Sequence, residues 1–107
     1  MIVEGLVLKC FQIITAVGNA RSCYIEAIQE AKKCNFDGAW ELIREGEKSF
    51  IEGHHAHVAL IQKEAAGERS EINLLLIHAE DQLMSAETFR IIAEELIAVH
   101  EKINEVK

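Results

Sequence analysis

Not one of the 107 residues is proline, so no proline breaks a helix from within. Half of the chain is hydrophobic and only six residues are aromatic, a balance that favours long helices over a sandwich or barrel. The expectation is an all-α fold. A chain of 107 residues makes one domain around a single core, spanning residues 1–107.

Read at about 100° per residue, the sequence divides into three helices. Leu6, Ile13, Val17, Ala20, Tyr24, Ile28 and Ala31 fall on one stripe of a first helix, about residues 2–33. The stretch "CNFDGAW" interrupts it, and Asp37 is a good N-cap for a second helix, about 38–66. There Ala39, Leu42, Ser49, Phe50, Gly53, His57, Leu60 and Ile61 define an inner face. Gly67 in "AAGERSE" ends that helix. Ser70 can then cap a third helix, about 71–104, with Asn73 near its first turn. Three long helices and two short loops predict an antiparallel three-helix bundle.

A net charge of −7 excludes nucleic acid and anionic membrane surfaces as partners, because both require clustered lysine and arginine. Cys10, Cys23 and Cys34 follow neither a CxxC nor a zinc-ligand spacing, and no secretory leader precedes them, so reduced thiols in the cytoplasm are expected. The apolar start "MIVEGLVLKCFQIITAVG" is interrupted by Glu4 and Lys9, well short of the roughly 20 residues a span requires. No direct membrane insertion is expected.

The stretch "LLLIHAEDQLM", residues 74–84, places polar groups inside an apolar run. With His78 at the centre of the wheel, Leu74, Phe89, Ile92, Leu96 and Ile103 lie within about 40° of it, and Asp81, Gln82 and Ser85 share the same broad face. Glu80, Glu87 and Glu94 fall on the far side as solvated surface charges. A lone carboxylate on a packed seam costs several kcal/mol, on the order of a buried unpaired charge, unless it is paired, protonated or bound to a cation. Asp81 has no lysine or arginine on its own stripe. A histidine from another helix, a raised pKa, or a cation shared among symmetry mates would each relieve it. The bland alternative is a core histidine hydrogen-bonded to a nearby aspartate. His57 reads as a satisfied polar core residue, His54 lies at the flank, His55 points outward, and His100 has no assigned role. "GHHAHV" lacks the HExxH pattern of a zinc site.

The segments "GNARSCYIEAIQEAK", "LIQKEAAGE" and above all "IHAEDQLM" resemble the lactose/cellobiose class of enzyme IIA of the bacterial sugar phosphotransferase system. The similarity runs from about Phe11 to about Lys102. It implies a three-helix subunit assembled as a homotrimer, with the histidine of the HAxDxLM motif, His78, carrying a phosphoryl group. It also implies that the Asp81 carboxylates of three subunits meet on the trimer axis around one divalent cation such as Mg2+. Many members read HAQDHLM, whereas this chain has Glu80 and Gln82, and His57 stands where a glutamine is common in the second helix.

A neutral imidazole can attack phosphorus in line, and an ordinary pKa of about 6.5 leaves much of it neutral near pH 7. Positioning then carries most of the catalysis. No arginine or lysine shares the helix face of His78, and weak donors such as Gln82 or Ser85 suit a phosphate that must be passed on. The resemblance implies a cytoplasmic phosphocarrier. It takes its phosphoryl group from phospho-HPr on His78 and gives it to the cysteine of a IIB component, for uptake of a β-linked disaccharide. Lactose, cellobiose and chitobiose are all compatible with the sequence. The competing reading is a non-catalytic helical adaptor whose buried His and Asp fix the register of the bundle.

Overall fold

The seams of this protein repeat every seven residues. In a computed structural model describing residues 2–68 and 71–107, the chain forms α1 (Ile2–Lys32), α2 (Phe36–Ala65) and α3 (Leu74–Val106). These pack as an antiparallel three-helix bundle 59 Å long and about 20 Å across, the all-α fold expected from the sequence. Buried positions recur as Leu6, Ile13, Ala20 and Ala27 with Cys10, Val17, Tyr24 and Ala31 on α1. On α2 they recur as Ala39, Gly46, Gly53 and Leu60, and on α3 as Ala79, Ala86 and Ala93 with Leu83 and Ile97. A strict seven-residue repeat keeps one seam facing its neighbours over the whole length of a long helix. Small residues let the axes approach closely. A Cβ at Gly53 would come within 2.7 Å of Val17 Cγ1, and one at Gly46 would meet the Tyr24 ring.

The helix ends follow from local hydrogen bonding. At the end of α1, Asn35 N–H donates to Glu30 C=O at 2.9 Å and Cys34 N–H to Ala31 C=O at 3.0 Å. At the end of α2, Glu68 N–H donates to Lys63 C=O and Gly67 N–H to Glu64 C=O, each at 3.0 Å. Both are Schellman motifs, which reverse the chain through one left-handed residue. That residue is Gly67 (φ 92°) in the second motif and Cys34 (φ 64°) in the first. Asn35, not Asp37, caps α2: its Oδ1 accepts from Gly38 N–H at 3.2 Å, while Asp37 stands in the first turn. Asparagine two positions earlier reaches the free amides, and Asp37 is left to favour the positive end of the helix dipole. Asn73 caps α3 through Leu76 N–H at 2.9 Å, so that helix begins at Leu74 rather than near 71; Ser70 lies outside the described residues.

The α3 stripe is the main departure from expectation. Its inner face is led by Ala79, Leu83, Ala86, Ala93 and Ile97, rotated by about one residue, roughly 100°, from the stripe centred on His78. Leu74 (81% exposed), Ile92 and Ile103 instead lie outside. Periodicity weighted by side-chain size selects the large residues, whereas this seam is closed by alanines. On α2, likewise, Ala56 and Ile43 are buried and Ile61 is exposed. Along the α2–α3 seam three polar links keep the antiparallel register: Trp40 Nε1 to Glu101 at 3.3 Å, Arg90 to Glu47 at 3.4 Å and His57 Nε2 to Glu80 at 3.0 Å. Among the described residues no helix is long and apolar enough to cross a membrane.

Candidate functional site

His78 occupies the second turn of α3 and is exposed, as is Asp81; Gln82 and Ser85 are half-buried beside them. Three and four residues on from His78, Asp81 and Gln82 share its side of the helix, where such neighbours sit roughly 5–6 Å apart at Cβ. The structure therefore brings together on one helix surface the residues singled out in the sequence. That surface belongs to the outside of the protomer, not its core. An exposed histidine and aspartate cannot fix the register of a bundle from within, so the adaptor reading loses its buried pair. Its outward position leaves the imidazole accessible for chemistry.

Asp81 stands within an apolar stripe. Ile77, Met84 and Ile92 are 55%, 67% and 49% exposed and flank it along α3, with Ile91 and Val99 further on. Among the described residues of one protomer, no three His, Cys, Asp or Glu side chains gather into a group able to hold a metal. A hard cation takes several oxygen ligands, and Asp81 alone does not provide them.

The other histidines divide clearly. His57 Nε2 lies 3.0 Å from Glu80 Oε1, bridging α2 and α3, so Glu80 is a surface charge, as expected, but one with a partner on another helix. Glu94 departs from that expectation: it is half-buried and accepts from Arg90 Nη1 at 3.3 Å. His54 stacks on Phe50 with ring centroids 6.3 Å apart and 15° between planes. His55 is exposed and lines a groove of about 680 Å³ between α1 and α2, with Leu8, Phe11, Gln12 and Thr15. His78, Asp81 and Gln82 are not part of that groove.

The thiols of Cys10 and Cys23 are poorly placed as nucleophiles. Burial pushes the Cys10 thiol up and Glu80 pushes it further; burial, then Glu45 and Glu26, raise that of Cys23. The thiolate is the reactive form, and both effects withhold it. Sequence reasoning missed Arg90, which joins Glu47 of α2 to Glu94 of its own helix. Its spacing four residues before Glu94 was the available signal.

Known proteins resemble this chain along almost its whole length. The family model for the lactose/cellobiose-specific IIA subunit of the phosphotransferase system matches residues 8–101. The lichenan-specific phosphotransferase enzyme IIA component of Bacillus subtilis is 42% identical over 95 residues, covering 89% of this chain and 86% of that protein. The lactose-specific EIIA component of Streptococcus mutans is 30% identical, covering 92% and 95%. Among solved structures, the cellobiose-specific enzyme IIA of Bacillus anthracis superposes with a TM-score of 0.90 at 42% identity, over 92% of this chain and 90% of that one. A chitobiose IIA solved in complex with HPr gives 0.81 at 27% identity, over 97% of both chains. Sequence and fold agree over the helix that carries His78, and the chain belongs to the lactose/cellobiose-specific IIA subunits of the phosphotransferase system.

Proposed function

We propose that the protein is a cytoplasmic phosphocarrier that accepts a phosphoryl group on His78 from phospho-HPr and delivers it to the cysteine of a IIB component. The observation that carries the reading is an exposed His78 on α3, with Asp81 and Gln82 along the same face, in a chain of the IIA family. A chitobiose relative solved with HPr bound supports this choice of donor. As the neutral imidazole nitrogen attacks, its bond to phosphorus forms while the bond from phosphorus to the donor breaks. In the second transfer a thiolate sulfur takes the phosphoryl group and the imidazole is released neutral. Gln82 donates to a phosphate oxygen through its amide. An amide binds phosphate more weakly than a charged group would, and the phosphoryl group remains easy to pass on. The sugar imported is a β-linked disaccharide of the lactose, cellobiose or chitobiose type.

The apolar stripe of Ile77, Met84 and Ile92 around Asp81 supports assembly as a homotrimer about α3, since stripes of this kind mark protein contacts. Three Asp81 carboxylates facing the axis would hold one Mg2+, whose charge offsets their mutual repulsion. Reconstitution with phosphoenolpyruvate, enzyme I and HPr tests the reading. The chain should take up one acid-labile, base-stable phosphoryl group and lose it when a IIB component is added. A label stable to acid would indicate a hydroxyl acceptor and overturn it.

A further inference from the structure

The first turns of α3 carry the proposed phosphate acceptor and rest on apolar contacts, with Leu75 and Leu76 packed against the core that Ala79 and Leu83 enter. Leu74 and Ile77 face outward, and apolar contact is non-directional, so a hydrogen bond adds an orientation that the packed leucines alone do not specify. Three non-helical residues, Glu71–Asn73, precede the helix, and Asn73 caps it through Leu76 N–H. Among the described residues, one side-chain hydrogen bond ties this end of α3 to another helix: His57 Nε2 to Glu80 Oε1, 3.0 Å. The next link along α3, from Arg90 to Glu47, lies ten residues on, about 15 Å at the rise of an α-helix. His57 is only 17% exposed, held on the half-buried side of α2, and its imidazole is thus a fixed anchor rather than a mobile surface group.

Glu80 follows His78 by two residues, about 200° around the helix. The pair therefore grips α3 from behind while His78 faces outward. We infer that His57 and Glu80 act as a positioning clamp that sets the rotation of the first turns of α3 and so aims the His78 imidazole at the incoming phosphoryl group. At a side-chain radius of about 5–6 Å, a rotation of roughly 10° displaces the imidazole by about 1 Å. A displacement of that size can cost on the order of 100-fold in a reaction that depends on in-line geometry. Neither residue touches the reacting atoms; they act through the helix. The inference rests on His78 being the acceptor.

The test is phosphoryl acceptance from phospho-HPr by the wild type, His57→Leu, Glu80→Leu, the double variant, Glu80→Gln and, alongside them, His78→Ala. Each leucine variant should lower kcat by about 10- to 100-fold with KM for phospho-HPr within about twofold. The double variant should be no slower than either single one, because the two residues form one contact. Glu80→Gln keeps an oxygen that accepts from the imidazole N–H and should restore kcat to within severalfold of the wild type. Wild-type kcat in Glu80→Leu, additive losses, or a glutamine variant as slow as the leucine one would overturn the clamp. Glu80 is half exposed, so its leucine variant carries the comparison even if His57→Leu loses helicity. Amide exchange over residues 76–83 should also quicken in Glu80→Leu, and unchanged exchange counts against the clamp independently of chemistry. A His78→Ala protein that still takes up phosphate at the wild-type rate would remove the acceptor assignment, whatever the exchange data say.

Discussion

The side chain least at ease in the protein is Tyr24. It is completely buried, its ring lies against Gly46, and its hydroxyl has no hydrogen-bond partner among the described residues. Burial pushes its pKa up to about 12, against the opposing pull of the Arg90 guanidinium. The unfolded chain sheds this proton near pH 10, before the folded one. The associated stability is therefore complete below pH 10 and is lost as pH rises from about 10 to about 12. Tyr24→Phe removes an unsatisfied donor without opening a cavity, and should leave the protein as stable at pH 8 or more stable by about 1 kcal/mol. It should also flatten the decline above pH 10. Urea denaturation of both proteins at pH 8 and 10.5, at one protein concentration, measures this; a phenylalanine variant weaker by more than about 1 kcal/mol at pH 8 would reveal a partner for the hydroxyl. At this scale the sequence was legible where side chains act through their neighbours on one helix: His78, Asp81 and Gln82 were found together. It was not legible where the partner is on another helix. His57 and Glu80, each a departure from residues common in the family, were read separately, and their contact depends on how α2 and α3 are set against each other.

Among the helices, the two Schellman turns make a natural comparison. Gly67 adopts φ 92° and Cys34 adopts φ 64°, but only glycine does so without a Cβ penalty of roughly 1 kcal/mol. Cys34→Gly should raise stability by about 0.5–1 kcal/mol, with loss of the long 3.5 Å contact from its Sγ to Asn104 a small offset. Gly67→Ala should lower it by about 1 kcal/mol, and thermal unfolding of the pair checks both signs. A destabilised Cys34→Gly would mean that the Asn104 contact outweighs the strain. The number and order of helices were legible because three apolar periods separated by short polar breaks are a long-range pattern that no local competition obscures. Their exact ends were less so, since Asn35 and Asp37 are both good caps on composition and only the turn geometry chooses between them. The rotation of α3 was hidden because methyl groups close its seam. Alanine contributes little to an amphipathic pattern but permits the closest approach, and the stronger apolar signal comes from an outward side turned about 100° away.

For the whole molecule, that outward side is the face on which the proposed trimer would form. Ile77, Met84, Ile92 and Val99 stay exposed, and Asp81 sits among them. With three copies placed about this face, chelation of divalent metal at neutral pH should weaken the trimer, because the three carboxylates then repel one another in a drying interface. Asp81→Leu should yield a trimer indifferent to EDTA, with apolar packing in place of the charges. Sedimentation with and without chelator decides this, and a leucine variant that runs as a monomer would assign Asp81 to another contact. The central claim concerns His78, and its most direct measurement is phosphoryl uptake by His78→Ala beside the wild type, with helicity recorded for both. Alanine preserves helix propensity and removes only the nucleophile. The account predicts unchanged helicity and no uptake of phosphate from phospho-HPr; labelling of a folded His78→Ala protein at the wild-type level would contradict it.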